Sequence, residues 1–180
     1  MKPRTSTVFF ILFLTAGLCA CSSDRTLLDP EESVRVANVV DGDTIKLKDG
    51  RIVRLIGVDC PELHDDTVNT LNAARLGMTM AKQADYARKA HDYVRGLTRT
   101  NPIKLGYDPA YEVLKNQDRS GRVLAYVYSG EALVNAELIK LGYCTIYSKV
   151  TFSKRKEFEE YEKEARAARI GIWEKSKNIF

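Results

Sequence analysis

Cysteine is scarce in this sequence, no apolar run is long, and neither sign of charge dominates. Four cysteines in 180 residues are too few for a disulfide scaffold, and without a Cys-x-x-Cys pair nothing points to structural zinc. A formal net charge of +4 permits a polyanionic partner but falls short of a histone-like polycation. With 44% hydrophobic and 29% charged residues, disorder and collagen-like structure are excluded, and the length predicts one folded domain.

The most apolar run lies at the N-terminus. Residues 8–14 follow two basic residues and are too short to span a bilayer, a pattern typical of a secretory signal peptide. The sequence Leu-Cys-Ala-Cys ending at Cys21 resembles a bacterial lipobox, so residues 1–20 are predicted to be a lipoprotein signal peptide and Cys21 to carry lipid. Residues 21–33 predict a tether that holds the protein at the bacterial cell envelope, outside the cytoplasm. An ordinary secretory signal or a membrane-anchoring stub is the alternative.

β-branched residues and turn signals alternate in the next part of the chain. Residues 34–40 and 51–58 are rich in Val and Ile, and residues 44–48 alternate apolar and polar side chains, which predicts three strands. The Asp-Gly pairs at 41–42 and 49–50 are typical of tight turns. The three strands are therefore expected to form a meander whose turns carry acids.

Helical patterns follow the meander. Residues 63–75 are polar and predict a loop, whereas apolar residues at helical spacing predict a helix within 76–99. Asn135 is expected to cap a short helix that ends at Leu141, and Ser153 is expected to cap a C-terminal helix.

Two further strands, at 103–107 and 122–128, complete the predicted elements. The order of elements predicts an α+β domain over residues 34–180. Its expected architecture is a small closed barrel of five strands with about three packed helices, of which the OB-fold is one example.

Three short segments, 41–44, 54–62 and 118–122, carry an unusual set of charges. Asp41 and Asp43 lie at the first turn, and Asp59 and Glu62 flank a proline directly after the third strand. Arg54 shares a strand face with apolar neighbours, so its charge needs a partner. If the meander closes, the four carboxylates gather at one end of the barrel. Hard oxygen ligands without a His or Cys cluster indicate Ca²⁺ or Mg²⁺.

Four blocks of sequence resemble the staphylococcal nuclease (thermonuclease) family and occur in the family's order. The blocks are Val-Asp-Gly-Asp-Thr at 40–44, Arg-Leu-Ile-Gly-Val-Asp-Cys-Pro-Glu at 54–62, Gly-Arg-Val-Leu-Ala-Tyr-Val-Tyr at 121–128, and Val-Asn through Leu-Gly at 134–142. Any one block is weak, but four in order are specific. The resemblance implies an OB-fold and a Ca²⁺-dependent endonuclease, a phosphodiesterase that acts on DNA and RNA, here in a lipoprotein form.

The resemblance also implies the catalytic residues. Arg54 and Arg122 grip the scissile phosphate, because guanidiniums donate paired hydrogen bonds to phosphate oxygens. Glu62 acts as general base on the attacking water. With two arginines beside it, the pKa of Glu62 is expected to stay low, so that this carboxylate is ionised at neutral pH.

A Ca²⁺ site is implied in the same way. Its ligands are the carboxylates of Asp43 and Asp59 and the backbone carbonyl of Cys60. Asp41 is expected to lie behind these ligands without touching the ion. A cation there would neutralise the phosphate and orient water.

The chain departs from the family next to the Gly-Arg pair. Many members carry an aromatic residue there, and this sequence has Ser120. Base stacking is therefore expected to be weaker, or to come from Tyr147 or Tyr143 as a substrate-binding residue. His64, next to the site, is expected to be a loop residue.

Cys60 and Cys144 allow two interpretations. In the family's fold, the segment after residue 142 runs beside the strand that ends near Asp59, so the resemblance makes a Cys60–Cys144 disulfide plausible in an oxidising compartment. Two free buried thiols are the alternative.

Three functions remain open at this stage. A monomeric nuclease is the leading interpretation, with DNA and RNA as substrates and a membrane contact through lipid alone. A non-catalytic nucleic-acid-binding domain and a structural envelope protein are the alternatives. The full set of Arg54, Glu62, Arg122 and the acids argues against a loss of catalysis.

Overall fold

The computed structural model describes residues 32–174. Within them the chain forms nine β-strands, four α-helices and two short 3-10 helices. The strands are β1 (Glu32–Val34), β2 (Val36–Asp41), β3 (Thr44–Leu47), β4 (Ile52–Leu55), β5 (Val58–Asp59), β6 (Ile103–Gly106), β7 (Val123–Ser129), β8 (Ala132–Leu133) and β9 (Thr145–Ile146). The helices are α1 (Asp66–Leu76), α2 (Met80–Thr98), α3 (Val134–Lys140) and α4 (Arg155–Ala167), with 3-10 helices at Pro109–Leu114 and Gly171–Trp173.

The predicted signal peptide, the predicted lipidation site Cys21 and most of the predicted tether lie outside the described residues. The last two tether residues, however, belong to β1. Glu32 is held there because Arg51 donates hydrogen bonds to its carboxylate at 2.6 and 2.9 Å, and Tyr107 donates one at 2.9 Å. Between residues 32 and 174, no helix has the length and apolarity needed to cross a membrane.

Seven strands form one sheet, ordered β1-β6-β7-β4-β3-β2, with β8 paired to β7. Its strand pairs are antiparallel except β4 and β7, which run parallel and place Arg54 opposite Leu124. β5 and β9 form a separate antiparallel pair. Ile45 and Leu47 point into the core, as their alternation with polar residues predicts. The predicted α+β class is confirmed.

The closed five-stranded barrel is not what the described residues form. β1 and β2 lie at opposite ends of the sheet, yet only Arg35 separates them along the chain. The sheet therefore curls back on itself, and its ends are joined by the chain, with no ladder between β1 and β2. Two strands that follow each other in the chain need a turn between them to pair as antiparallel neighbours. The single residue between β1 and β2 leaves no room for one.

The long helix α2 packs against β2. Ala87, Ala90 and Val94 are buried on one face, as helical spacing predicts. The helix begins later than expected because Thr79 accepts a hydrogen bond from the Lys82 amide at 3.2 Å and caps it.

The polar stretch after Glu62, predicted as a loop, contains helix α1. Asp65 caps its start by accepting hydrogen bonds from the Thr67 and Val68 amides, each at 3.0 Å. Gly77 ends it in the left-handed conformation, with φ 63°. The helix has little apolar surface to bury, so hydrophobic periodicity could not reveal it. The described domain thus has four α-helices rather than about three.

Asn135 does not cap α3, contrary to expectation. The helix begins at Val134, and the Asn135 side chain is fully buried. Its Oδ1 accepts the Val127 amide proton at 2.9 Å, and its Nδ2 donates to the Ile56 carbonyl at 2.9 Å. The amide therefore joins β7 to the segment after β4, where its hydrogen bonds are worth more than at an exposed helix end.

Ser153, expected as an N-cap, also has a different role. Its amide and hydroxyl donate to Asp108, at 2.7 and 2.8 Å. The hydroxyl of Tyr126 donates to the same carboxylate at 2.6 Å, and the Ala110 amide does so at 2.9 Å. Burial alone would raise the pKa of Asp108, but these hydrogen bonds hold it below its ordinary value.

Asp108→Ala is expected to lower the free energy of unfolding at pH 7 by roughly 2–3 kcal/mol, because buried donors lose their acceptor. The wild-type contribution is complete above the unfolded-state pKa of about 3.9 and is lost as pH falls through the lower folded-state pKa. Urea unfolding of both proteins should therefore converge in acid. Glu131→Ala, at an exposed turn, is the control. Equal stability at pH 7 would contradict the role given to Asp108.

Candidate active site

The turn between β2 and β3 carries two of the predicted site acids. Asp43 is 1% exposed, and its Oδ2 accepts the Cys60 amide proton at 2.7 Å. Asp41 accepts the Leu63 amide proton at 2.9 Å. Both carboxylates therefore tie this turn to the segment that carries Glu62.

Gly42 lets that turn lie close to its neighbours. A Cβ at this position would be 2.5 Å from the Ala90 Cβ of α2 and 3.0 Å from the Cys60 sulfur. Any side chain would push the turn off α2, so the Asp-Gly-Asp sequence here reflects packing as well as turn geometry.

Arg54 lies on β4 and is mostly buried, with 15% of its side chain exposed. Its Nη1 contacts Asp43 Oδ1, and its Nη2 is 3.6 Å from Asp59 Oδ1. The partner that a charge on this strand requires is thus a pair of carboxylates. Burial lowers the pKa of Arg54, opposed by Asp59 and Glu62 and reinforced by the charge of Arg122.

Asp59 and Cys60 lie where β5 pairs with β9. The sulfur atoms of Cys60 and Cys144 form a disulfide, and the Cα atoms are 4.2 Å apart. Thr145 Oγ1 donates to the Asp59 carbonyl at 3.3 Å. The disulfide therefore connects β9 to the loop that carries Glu62.

The expectation of a low pKa for Glu62 is wrong. Burial and the neighbouring carboxylate of Asp41 raise the pKa of Glu62 to about 7, although Arg54 acts in the opposite direction. The family resemblance implied that arginines lie near Glu62, whereas burial and the contact with Asp41 were not implied. A bound cation would also act to lower this pKa.

Arg122 precedes β7 and shares a cleft of about 500 Å³ with Arg54. Its Nε donates to Asp118 Oδ2 at 2.7 Å, which leaves its Nη groups without a partner among residues 32–174. Burial acts to raise the pKa of Asp118, but the hydrogen bonds from Arg122 and from backbone amides hold it below its usual value. Asp118 therefore stays ionised and aims the Arg122 guanidinium.

Of the two candidate tyrosines, only Tyr147 lines this cleft. Its amide donates to the Gly57 carbonyl at 3.0 Å. Tyr143 packs against the rings of Tyr86 and Tyr93 instead, each at 6.0 Å between centroids. Ser120 also lines the cleft, where the family often has an aromatic residue.

Three residues near the site escaped the sequence analysis. Arg75 on α1 lies 3.6 Å from Asp59, Tyr111 lines the cleft, and Asn69 on α1 contacts the backbone of Glu62. Both α1 residues come from the stretch predicted as a loop, so no pattern pointed to them. His64 is exposed, as expected for a loop residue.

The donor chemistry suits a hard cation, because Asp43 and Asp59 both contact the Arg54 guanidinium and offer carboxylate oxygens, and neither His nor thiolate is offered. Within the described part of the chain, no group of three or more His, Cys, Asp or Glu side chains is arranged to hold a metal ion.

Comparisons with known proteins agree with the blocks of sequence. A profile of the family described as staphylococcal nuclease homologue matches residues 52–175. The chain is 33% identical over 148 residues to a thermonuclease of Staphylococcus intermedius, which covers 80% of this chain and 77% of the relative. It is 30% identical over 147 residues to a thermonuclease of Staphylococcus hyicus, and this match covers 79% of the chain and 76% of the relative. It is 27% identical over 143 residues to an uncharacterized endonuclease of Escherichia coli, and this match covers 77% of the chain and 75% of the relative.

The curled sheet is that of an OB-fold domain, and its cleft is lined by the arginines Arg54, Arg119 and Arg122. The chain belongs to the staphylococcal nuclease family, since the family profile covers more than half of it. The predicted family and the OB-fold class are thereby confirmed. Family membership supports nuclease activity on nucleic acids.

The disulfide gives a direct prediction. Replacing both Cys60 and Cys144 with Ala is expected to cost about 2–4 kcal/mol of unfolding free energy, because the bond constrains a long loop of the unfolded chain. Urea unfolding measures this difference. In a chain carrying Cys19→Ser and Cys21→Ser, denaturation without reductant should expose no reactive thiol, and two reactive thiols would contradict the bond.

Proposed function

We propose that this protein is a Ca²⁺-dependent nuclease that hydrolyses phosphodiester bonds in DNA and RNA. One observation carries the proposal: Arg54 and Arg122 line the same cleft, with Asp43 and Asp59 beside Arg54. Two arginine side chains at one cleft suit the binding of a phosphodiester. Nearby carboxylates suit the binding of a metal ion and the role of a general base. The relatives named thermonuclease and endonuclease support the same function.

The two arginines bind and polarise the phosphate. Arg122 keeps its Nη groups for phosphate oxygens, since Asp118 engages only its Nε. Arg54 supplies a second, mostly buried guanidinium whose orientation is fixed by carboxylates. Attack by water adds negative charge to the phosphate oxygens, so fixed donors stabilise the transition state more than the ground state.

Glu62 accepts the proton of the attacking water. Its carboxylate is only partly exposed, and its raised pKa makes it a stronger base than an exposed glutamate when ionised. Arg122 can hydrogen-bond the leaving oxygen from the other side of the phosphate.

Ca²⁺ would be held by the carboxylates of Asp43 and Asp59 and the carbonyl of Cys60, with Asp41 behind them. When bound, the ion supplies charge neutralisation of the phosphate and a template for water. Oxygen donors of this kind are those that Ca²⁺ prefers.

Glu62→Gln is expected to lower the turnover number on the order of 10²–10⁴-fold, because the amide cannot accept the water proton. The assay follows degradation of plasmid and single-stranded DNA and of RNA by the full-length protein, with Ca²⁺ or with a chelator. His64→Gln, in the exposed loop next to the site, is the matched control and should retain wild-type activity.

Each alternative function has its own outcome in this assay. Ca²⁺-dependent degradation that Glu62→Gln abolishes supports the nuclease. Binding of DNA without cleavage would support a non-catalytic nucleic-acid-binding domain. Neither binding nor cleavage would support a structural envelope protein.

We also propose that the protein acts outside the cytoplasm as a lipid-anchored monomer. The lipobox-like sequence at Cys21 supports the anchor, and the Cys60–Cys144 disulfide suits an oxidising compartment. In a bacterial host fed a labelled fatty acid, the wild-type chain should incorporate label and fractionate with membranes. Cys21→Ser should do neither, and retained label in that variant would overturn the proposal.

A further inference from the structure

Helix α1 grips the backbone of the residue assigned as the general base. Asn69 lies on this helix with its polar side chain turned inward, 3% exposed. Its Oδ1 accepts the Glu62 amide proton at 3.0 Å, and its Nδ2 donates to the Glu62 carbonyl at 2.6 Å. One side chain therefore satisfies both backbone polar groups of Glu62.

Few side chains can make this pair of bonds. The position needs one donor and one acceptor on a single planar group, at the distance that a short side chain reaches. Aspartate offers acceptors alone at neutral pH, and leucine offers neither group. The arrangement resembles the pairing of two peptide groups, so it fixes the direction of the Glu62 backbone as well as its position.

Asn69 is itself held from two sides. Its backbone N–H donates to the Asp65 carbonyl at 3.0 Å within the first turn of α1. Gln83 on α2, 1% exposed, has its Nε2 3.5 Å from Asn69 Oδ1. Through Asn69, the backbone of Glu62 is therefore connected to α2, which packs against the sheet.

The two hydrogen bonds form a clamp that limits how far the Glu62 backbone can move. The Glu62 side chain is partly exposed, and residues on either side of it are bonded to the turn after β2 through Asp43 and Asp41. A backbone fixed at both polar groups restricts the positions that the carboxylate can reach.

We infer that Asn69 is a positioning residue for the nuclease reaction, which fixes the direction from which the Glu62 carboxylate meets the attacking water. The inference rests on the proposed function. The adjoining positions of the loop are held by other groups: Asp43 and the disulfide hold Cys60, and Asp41 holds Leu63. Asn69 is thus the hold on Glu62 that can be removed without changing a proposed metal ligand.

Asn69→Leu, which removes both hydrogen bonds, is expected to lower kcat about 10–100-fold, because a displacement near 1 Å costs about that much in catalysis. KM should change less than about threefold, since Arg54 and Arg122 are untouched. Asn69→Asp keeps the acceptor but sets a carboxylate oxygen against the Glu62 carbonyl, so it should not restore the kcat of wild type. Kinetics on full-length protein with Ca²⁺, at a temperature where every variant is folded, measure both constants.

Thr98→Val is the matched control for lost stability. Thr98 is also a buried polar residue, 2% exposed, and its hydroxyl donates to the Val94 carbonyl within α2. This variant should lose stability and keep kcat. An equal loss of kcat in Thr98→Val, or an unchanged kcat in Asn69→Leu, would overturn the inference.

Hydrogen exchange separates failure of this inference from failure of the proposed function. The Glu62 amide should exchange at least tenfold faster in Asn69→Leu than in wild type, whether or not the protein cleaves nucleic acid. If wild type is inactive but exchange accelerates, the nuclease proposal fails and the clamp stands without its catalytic meaning. If exchange is unchanged, the clamp itself is wrong.

Discussion

The burial of the Arg54 guanidinium between two carboxylates is the constraint on which the site depends. Asp43 comes from the turn after β2, and Asp59 comes from β5. A mostly buried charge left without partners costs several kcal/mol, so β4 can keep arginine here only while the turn and β5 keep their acids in place. The site therefore assembles only when β4, the turn after β2 and β5 pack together. Under the proposed function, a phosphate that enters the cleft meets a guanidinium whose orientation is already fixed.

The loop after β5 is held at three closely spaced residues by groups of different kinds. Cys60 is bound by a disulfide and by Asp43, Glu62 by the amide of Asn69, and Leu63 by Asp41. Such redundancy limits the movement of Glu62, the proposed general base. In this chain part of that support comes from α1, a helix with few apolar contacts whose main contribution is polar.

The sequence predicted what apolar patterns and turn chemistry record. Ile45 and Leu47 point inward as their alternation requires. Asp43 and Asp59 meet at Arg54, and Asp41 lies beside Glu62, as the meander implies. The patterns could not reveal α1, the buried Asn135 or the clamp by Asn69. These are polar side chains whose value depends on partners distant in sequence, so periodicity carries no trace of them. The raised pKa of Glu62 was missed for a related reason, because burial beside Asp41 is a property of the fold.

The most direct measurement is a crystal structure of the Glu62→Gln variant with Ca²⁺ and a short oligonucleotide. One backbone phosphate should lie between Arg54 and Arg122, with the cation bound by Asp43 and Asp59 on the side of residue 62. A phosphate bound outside this cleft, or a cation that avoids both aspartates, would contradict the account.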